Sequence, residues 1–217
     1  MTHSFAMGLY LITDHNLETA KLLSVVEAAL KGQTKIIQYR DKSTDSQKRL
    51  SEAQALKHLC DVYNSTLIIN DDVALAEAVG AGVHLGRSDG SIAAARQRLG
   101  KDKIIGATCH NSLIFAQQAV DEGASYLAFG AFFPSATKPN AALADVGILQ
   151  SAQQFNLPIV AIGGITLENA APLMKAGAHC VAVVHDICAL PIANIQQRAN
   201  AYHELLTAHA SSLSDTF

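Results

Sequence analysis

The sequence predicts an α/β fold, a single (β/α)8 TIM barrel, on three observations. Short apolar runs alternate with amphipathic stretches from one end of the chain to the other, and the strand-like runs number eight. Glycines recur just past the helical patterns, at Gly80, Gly123 and Gly177, where a left-handed residue ends a helix at little cost. Polar or charged clusters follow one apolar run after another, and parallel strands would carry all of them to one rim. Eight βα units in 217 residues lie near the short end of the barrel range. A doubly wound open sheet shares the local pattern and is the alternative, although the first turn lacks a G-x-G-x-x-G fingerprint.

The elements follow in order. Leu9–Ile12 is the first expected strand, and Ala20, Leu23, Val26, Ala29 and Leu30 recur at helical spacing within 18–31. Strands are expected next at Lys35–Gln38, Thr66–Ile69 and Gly82–Leu85, each followed by a helical pattern, at 45–62, 73–80 and 90–99. Lys103–Ala107 precedes a helix over 111–122, and Ser125–Phe129 precedes the longest loop, 130–144. A helix over 145–155, strand Pro158–Ile162, helix 166–176, strand Cys180–Val184 and helix 191–207 complete the pattern. No low-complexity segment or long linker interrupts it. The expectation is therefore one domain, residues 1–217, with its core at about 8–207.

Composition narrows the function. Hydrophobic residues make up 49% and charged residues only 16%, which suits an enclosed parallel sheet. A net charge of −3 without a run of five like charges argues against a nucleic-acid footprint or a basic membrane patch. No stretch of 18 uninterrupted apolar residues is present, and the first seven residues show neither a basic leader nor an apolar signal core. The expected partners are small molecules in the cytoplasm, with a homo-oligomer left open. Cys60, Cys109, Cys180 and Cys188 form no C-x-x-C pair. Cys109 stands on the suspected rim and is a candidate nucleophile, whereas Cys60 and Cys180 read as buried thiols.

The rim clusters suggest phosphate chemistry. Gly163-Gly164-Ile165-Thr166 follows the seventh run, where two glycines let backbone N–H groups approach an anion and Thr166 can cap the next helix. Val184-His185 ends the eighth run and would complete such a site. Asp71 and Asp89 follow the third and fourth runs and form a candidate Mg2+ site. The competing reading has Asp71 or Asp72 as a helix cap and Asp89-Gly90 as a turn. Arg40, Lys42 and Lys138 add positive charge for phosphate oxygens. Gln38 and Asn70 could read a polar heterocycle, and Thr108 could donate a hydroxyl. His110 either serves as acid or base or opens the helix at 111, the second being preferred. His84, inside a strand, reads as a hydrogen-bonded core histidine.

Gln38-Tyr39-Arg40-Asp41-Lys42, Ile69-Asn70-Asp71, Gly82–Gly86 with Asp89, Phe133–Pro139 and Val160–Thr166, in this order, resemble the thiamine phosphate synthase (thiamine-phosphate pyrophosphorylase) family. The resemblance implies a (β/α)8 barrel that joins hydroxymethylpyrimidine diphosphate to a thiazole phosphate and releases pyrophosphate with Mg2+. By matching position it implies pyrimidine diphosphate binding by Gln38, Tyr39, Arg40, Asp41, Lys42, Asn70, Thr108 and Lys138, with Lys42, Thr108 and Lys138 as catalytic residues. It implies Mg2+ on Asp71 and Asp89, and thiazole phosphate on Ser135, Ala136, Thr137, Gly164, Val184 and His185. This chain departs from the family at His185, where serine is usual, and at Asp72, where a basic or aromatic residue is common. Ser135-Ala136-Thr137-Lys138 also departs mildly from Thr-x-Thr-Lys. A thiazole tautomerase and a non-catalytic phosphate-ligand barrel are the competing functions.

Overall fold

A computed structural model describes residue 5, residues 7–134 and residues 142–214. Eight parallel strands form a closed barrel in sequence order: β1 (Gly8–Ile12), β2 (Ile36–Tyr39), β3 (Thr66–Asn70), β4 (Gly82–Leu85), β5 (Ile105–His110), β6 (Tyr126–Phe129), β7 (Ile159–Ile162) and β8 (Cys180–Val183). Pairing of β1 with β8, from Gly8 opposite Cys180 to Leu11 opposite Val183, closes the sheet and excludes the open doubly wound alternative. The outer layer comprises α1 (Thr19–Lys31), α2 (Ser46–Val62), α3 (Val73–Val79), α4 (Ile92–Leu99) and α5 (Leu113–Asp121). It continues with α6 (Gly147–Ser151), which runs into a 3-10 turn, then α7 (Leu167–Lys175), α8 (His185–Cys188) and α9 (Ile192–Ser214). Among the described residues no helix is long and apolar enough to cross a membrane.

The strand-end expectations hold within two or three residues, with one instructive difference. The fifth strand begins later than Lys103 and runs on to His110. Lys103 is drawn into the preceding turn, where its carbonyl accepts from Arg96 Nη1 at 2.6 Å. Thr108 and His110 read as loop residues, yet they pair with Ala128 and Phe129 across a register shift. The short helix α8 was absent from the pattern because four residues hold too little periodicity to register.

Both faces of each strand are apolar because both are covered. One alternating row, including Leu11, Ile37, Ile69, Val83, Leu127, Ala161 and Val181, packs under the helices. The other row, including Tyr10, Ile36, Ile68, Tyr126, Val160 and Cys180, fills the barrel interior. Helix starts are set by local chemistry. The side chains of Asp45, Asp72, Ser91 and Ser112 accept from the N–H groups of Lys48, Leu75, Ala94 and Phe115. Ser112 therefore opens the helix that His110 was expected to open, because its hydroxyl reaches the N–H three residues on. His110 instead ends β5 with a φ of 54°.

The interior also carries polar groups. In the register row His84–Gly106–Tyr126, the missing side chain of Gly106 lets the phenol ring cross the floor and lie against the imidazole, with centroids 5.6 Å apart. A Cβ at Gly106 would stand 2.0 Å from Tyr126 Cζ. His84 Nδ1 lies 2.8 Å from Tyr126 Oη and Nε2 lies 2.8 Å from Thr108 Oγ1, so the core-histidine expectation holds. Burial pushes the imidazole pKa down to about 4, against a smaller upward pull from Asp89.

Two measurements check this account. Gly106→Ala is expected to lower stability by about 1–3 kcal/mol in urea unfolding, because the interior has no slack for the displaced ring. For His84, the unfolded chain binds a proton below its ordinary pKa of 6.5 while the native chain stays neutral until about 4. Stability is therefore expected to fall by about 3 kcal/mol as pH drops through that window and then level off. His84→Gln should lose this component of the pH dependence.

Candidate active site

The carboxyl ends of the strands meet at one mouth, and strand alternation decides which side chains reach it. In β2, Gln38 points into the barrel, where its Nε2 donates to Tyr10 Oη at 2.7 Å. Tyr39 points the other way. It is buried in the helix layer, and its hydroxyl donates to Glu52 at 2.6 Å. Of the two expected pyrimidine-site residues in β2, only Gln38 thus faces the interior, and the structure does not bring the Tyr39 side chain to the mouth.

The loop after β2 is stiffened before it meets any ligand. The Arg40 N–H donates to Thr13 Oγ1 at 3.0 Å, and its guanidinium lies 3.2 Å from His15 Nδ1. Asp41 accepts from Lys48 Nζ at 2.9 Å and from the Ser43 N–H. Burial opposes ionisation of Asp41, but the Lys48 and Ser43 hydrogen bonds outweigh it and hold the carboxyl at about 2. The Asp41 charge is therefore committed to the protein. Lys42 is exposed, and it lines an open cleft of about 510 Å3 with Asp41, Ser43, Arg49, Asn70, Asp71 and Asp72.

The two adjacent aspartates after β3 divide their work. Asp72 caps α3 through Leu75 N–H and also binds Arg49 Nη2 at 2.8 Å. Asp71 takes a φ of 63° and receives a hydrogen bond from Asn70 Nδ2. Its carboxyl meets that of Asp89 at hydrogen-bonding range. Desolvation and the Asp89 charge raise the Asp71 pKa, against the opposing pull of Asn70 and Arg40. Asp89 is also tied into its turn, accepting from Gly86 N–H at 3.1 Å. The capping alternative thus applies to Asp72, and Asp71 is left facing a second carboxylate. Among the described residues no three or more His, Cys, Asp and Glu side chains converge as a metal cluster.

Farther round the rim, Thr108 Oγ1 rests on His84 Nε2 and lines a smaller cavity of about 200 Å3 beside Gly86, Arg87 and Phe115. Cys109 points outward into the helix layer, and burial pushes its thiol up to about 12, which removes it as a nucleophile. Gly164 has a φ of 61°, and a Cβ there would stand 2.4 Å from the Pro134 carbonyl oxygen. The start of the loop after β6, through Pro134, therefore lies directly on the Gly163-Gly164 turn, with Phe133 N–H donating to Gly163 O at 3.0 Å. The turn enters α7 through Asn169, whose side-chain oxygen accepts from Thr166 N–H at 2.9 Å. Val184 is half-buried, and exposed His185 begins α8. Ser135, Ala136, Thr137 and Lys138 lie outside the described residues.

Lys42, Asn70, Asp71 and Asp89 therefore gather at one opening, as expected of a shared rim. Sequence reasoning missed Arg49, which enters the same cleft from α2. Its Nε and the Ser43 hydroxyl are buried without a hydrogen-bond partner among the described residues. The available signal was position: Arg49 stands one helical turn beyond the Asp45 cap, on the end of α2 nearest the rim.

A family profile described as thiamine monophosphate synthase (TMP-TENI) matches residues 9–187. Among solved structures, thiamine phosphate pyrophosphorylase from Pyrococcus furiosus is 29% identical over 94% of this chain and 96% of that one, with a TM-score of 0.82. Thiamine phosphate pyrophosphorylase from Bacteroides thetaiotaomicron is 14% identical over 93% of this chain and 98% of that one, with a TM-score of 0.69. A 3-keto-L-gulonate-6-phosphate decarboxylase from Vibrio cholerae is 15% identical over 94% and 99% of the two chains, with a TM-score of 0.71. Those last two likenesses are of fold alone. With the profile running through nearly the whole barrel, the chain belongs to the thiamine monophosphate synthase family, transferases of thiamine biosynthesis.

Proposed function

We propose that this chain joins hydroxymethylpyrimidine diphosphate to thiazole phosphate, releasing pyrophosphate by a dissociative route. The observation that carries the reading is the Asp71–Asp89 carboxylate contact beside Lys42, Arg40 and Asn70. Two carboxylates held against each other at an open cleft fit a divalent cation whose remaining positions go to water and phosphate oxygens. Asp71 and Asp89 would hold Mg2+, which when bound offsets negative charge on the leaving diphosphate.

The protein's own groups do the rest. Arg40, Lys42 and Asn70, with Lys138, grip the diphosphate. Gln38 and Thr108 orient the pyrimidine, and the family likeness extends that role to the 38–42 segment as a whole, Tyr39 and Asp41 supporting its shape. The C–O bond between the pyrimidine methylene and the diphosphate breaks, and both electrons leave with oxygen. The thiazole nitrogen then donates its lone pair to the methylene carbon. Lys42 and Lys138 stabilise charge that grows toward the transition state, so their attraction lowers the barrier rather than only tightening binding. No side-chain nucleophile is needed, in keeping with the inert Cys109 thiol. Gly164 and the Val184-His185 turn, with Ser135-Ala136-Thr137, hold the thiazole phosphate and keep its nitrogen in line. The reading carries with it a cytoplasmic enzyme with small-molecule substrates.

The deciding experiment incubates the protein with both substrates, with and without chelator, and follows thiamine phosphate and pyrophosphate. Coupling that chelation abolishes is expected. Proton exchange on the thiazole alone would favour a tautomerase, and binding without turnover a non-catalytic barrel. Asp71→Asn is expected to slow coupling at least about tenfold, roughly 1.4 kcal/mol of barrier. Wild-type turnover in that variant would remove the metal role. Because the carboxylate pair repels itself in the ligand-free protein, Asp89→Asn is expected to raise the melting temperature without metal by about 1–2 °C.

A further inference from the structure

One continuous polar chain crosses the barrel interior, and the bond-making chemistry does not use its middle. Gln38 Nε2 donates to Tyr10 Oη at 2.7 Å, and the Tyr10 and Tyr126 hydroxyls are 2.7 Å apart. Tyr126 Oη lies 2.8 Å from His84 Nδ1, and His84 Nε2 lies 2.8 Å from Thr108 Oγ1. Gln38, Tyr10, Tyr126 and His84 are all buried. The two ends, Gln38 on β2 and Thr108 on β5, stand at the mouth.

With the Gln38 amide nitrogen on Tyr10, counting protons gives the chain a direction. Tyr10 oxygen accepts from Gln38, and the Tyr126 oxygen is the acceptor within reach of the Tyr10 proton, so that proton goes to Tyr126. The Tyr126 proton then goes to His84 Nδ1. The neutral imidazole keeps its proton on Nε2 and donates it to Thr108 Oγ1. Thr108 thus has its own proton to offer, and Gln38 has its carbonyl oxygen; neither has a further protein partner among the described residues. Running the protons the other way aims the Tyr10 hydroxyl at the Gln38 NH2, a donor facing a donor. The reverse direction is satisfied only if all five groups turn together, including the Gln38 amide. The interior chain therefore couples the two rim groups: acceptor at Gln38 goes with donor at Thr108.

We infer that His84 and Tyr126 are positioning residues that set the hydrogen-bond polarity of the mouth, and so select an aminopyrimidine over its oxo counterpart. This rests on the pyrimidine reading proposed above. A 4-aminopyrimidine offers an N–H donor and ring-nitrogen acceptors, which match a carbonyl and a hydroxyl proton. The 4-oxo ring replaces the amine donor with a carbonyl acceptor and turns the neighbouring ring nitrogen into a donor, so both contacts fail together. The ring stacking of His84 on Tyr126 and the close approach allowed by Gly106 hold the middle of the chain in place.

The test has two arms. Long-range 1H–15N correlation spectra of the ligand-free, 15N-labelled protein report the His84 tautomer, with His84→Gln assigning its signals among the nine histidines. The Nε2–H tautomer is expected, and the Nδ1–H tautomer or an imidazolium at neutral pH would overturn the inference without any ligand. In the second arm, calorimetry compares the 4-amino- and 4-oxo-pyrimidine methyl diphosphates, with Mg2+, on wild type and Tyr126→Phe. Wild type is expected to prefer the amine at least about tenfold, and Tyr126→Phe to reduce that preference about fivefold while still melting cooperatively. An unchanged preference in a folded Tyr126→Phe would overturn the positioning role. An Nε2–H tautomer with no affinity for either diphosphate would instead overturn the pyrimidine reading of the site, and the selectivity with it.

Discussion

Closure of a parallel sheet with a strict two-residue alternation is the constraint on which everything else in this protein depends. Once β1 pairs with β8, each strand has an inside and an outside, and consecutive residues at its downstream end part company. Gln38 turns inward to Tyr10 while Tyr39 turns outward to Glu52. Thr108 turns inward to His84 while Cys109 is buried among the helices. A motif that reads as a continuous run of polar residues is thereby split into a ligand-facing half and a scaffold-facing half.

The scaffold half carries real electrostatic work. Buried Glu52 takes hydrogen bonds from Tyr39 and Thr19 and lies 3.7 Å from Lys48. Lys48 in turn binds Asp41, and Arg49 binds Asp72. These contacts tie α2 to the loops after β2 and β3, so Lys42, Asn70 and Asp71 project from a braced rim. Buried charges of this kind are kept only when paired. The Asp71–Asp89 contact is the opposite case, a like-charge pair left in place at the mouth. Its local cost is the sort expected where structure is shaped for a ligand rather than for the empty protein.

On the other side of the barrel the same economy of space appears in glycines. Gly164 lies beneath the Pro134 carbonyl, so residues 131–134 after β6 and the turn after β7 pack against each other. Arg198 fixes the following short helix by binding Asp186 at 2.8 Å and Glu168 at 2.7 Å, which joins α7, α8 and α9 at the edge of the proposed phosphate site.

Much of this was legible in the residues. Eight apolar runs, their spacing and the glycines behind the helices favoured a barrel, because burial on both faces leaves a short, continuous apolar signature, but a doubly wound sheet shares that signature and the pairing of β1 with β8 decided between them. The gathering of Lys42, Asn70, Asp71 and Asp89 followed from the barrel alone. Local sequence could not choose between Asp71 and Asp72 as cap, since either carboxylate can reach an N–H three residues on; backbone direction at the end of β3 decided it. Nor could it find Arg49 or the Tyr10–Tyr126–His84 chain. Arg49 meets Asp72 23 positions away, and the interior chain joins residues up to 116 positions apart, its Tyr126 ring accommodated because Gly106 leaves room between neighbouring strands. Periodicity and residue type, which are local, determined the repeating βα units and the polar clusters at their strand ends. Side-chain partnership across the interior depends on register and on empty volume, and only the closed tertiary structure supplied both.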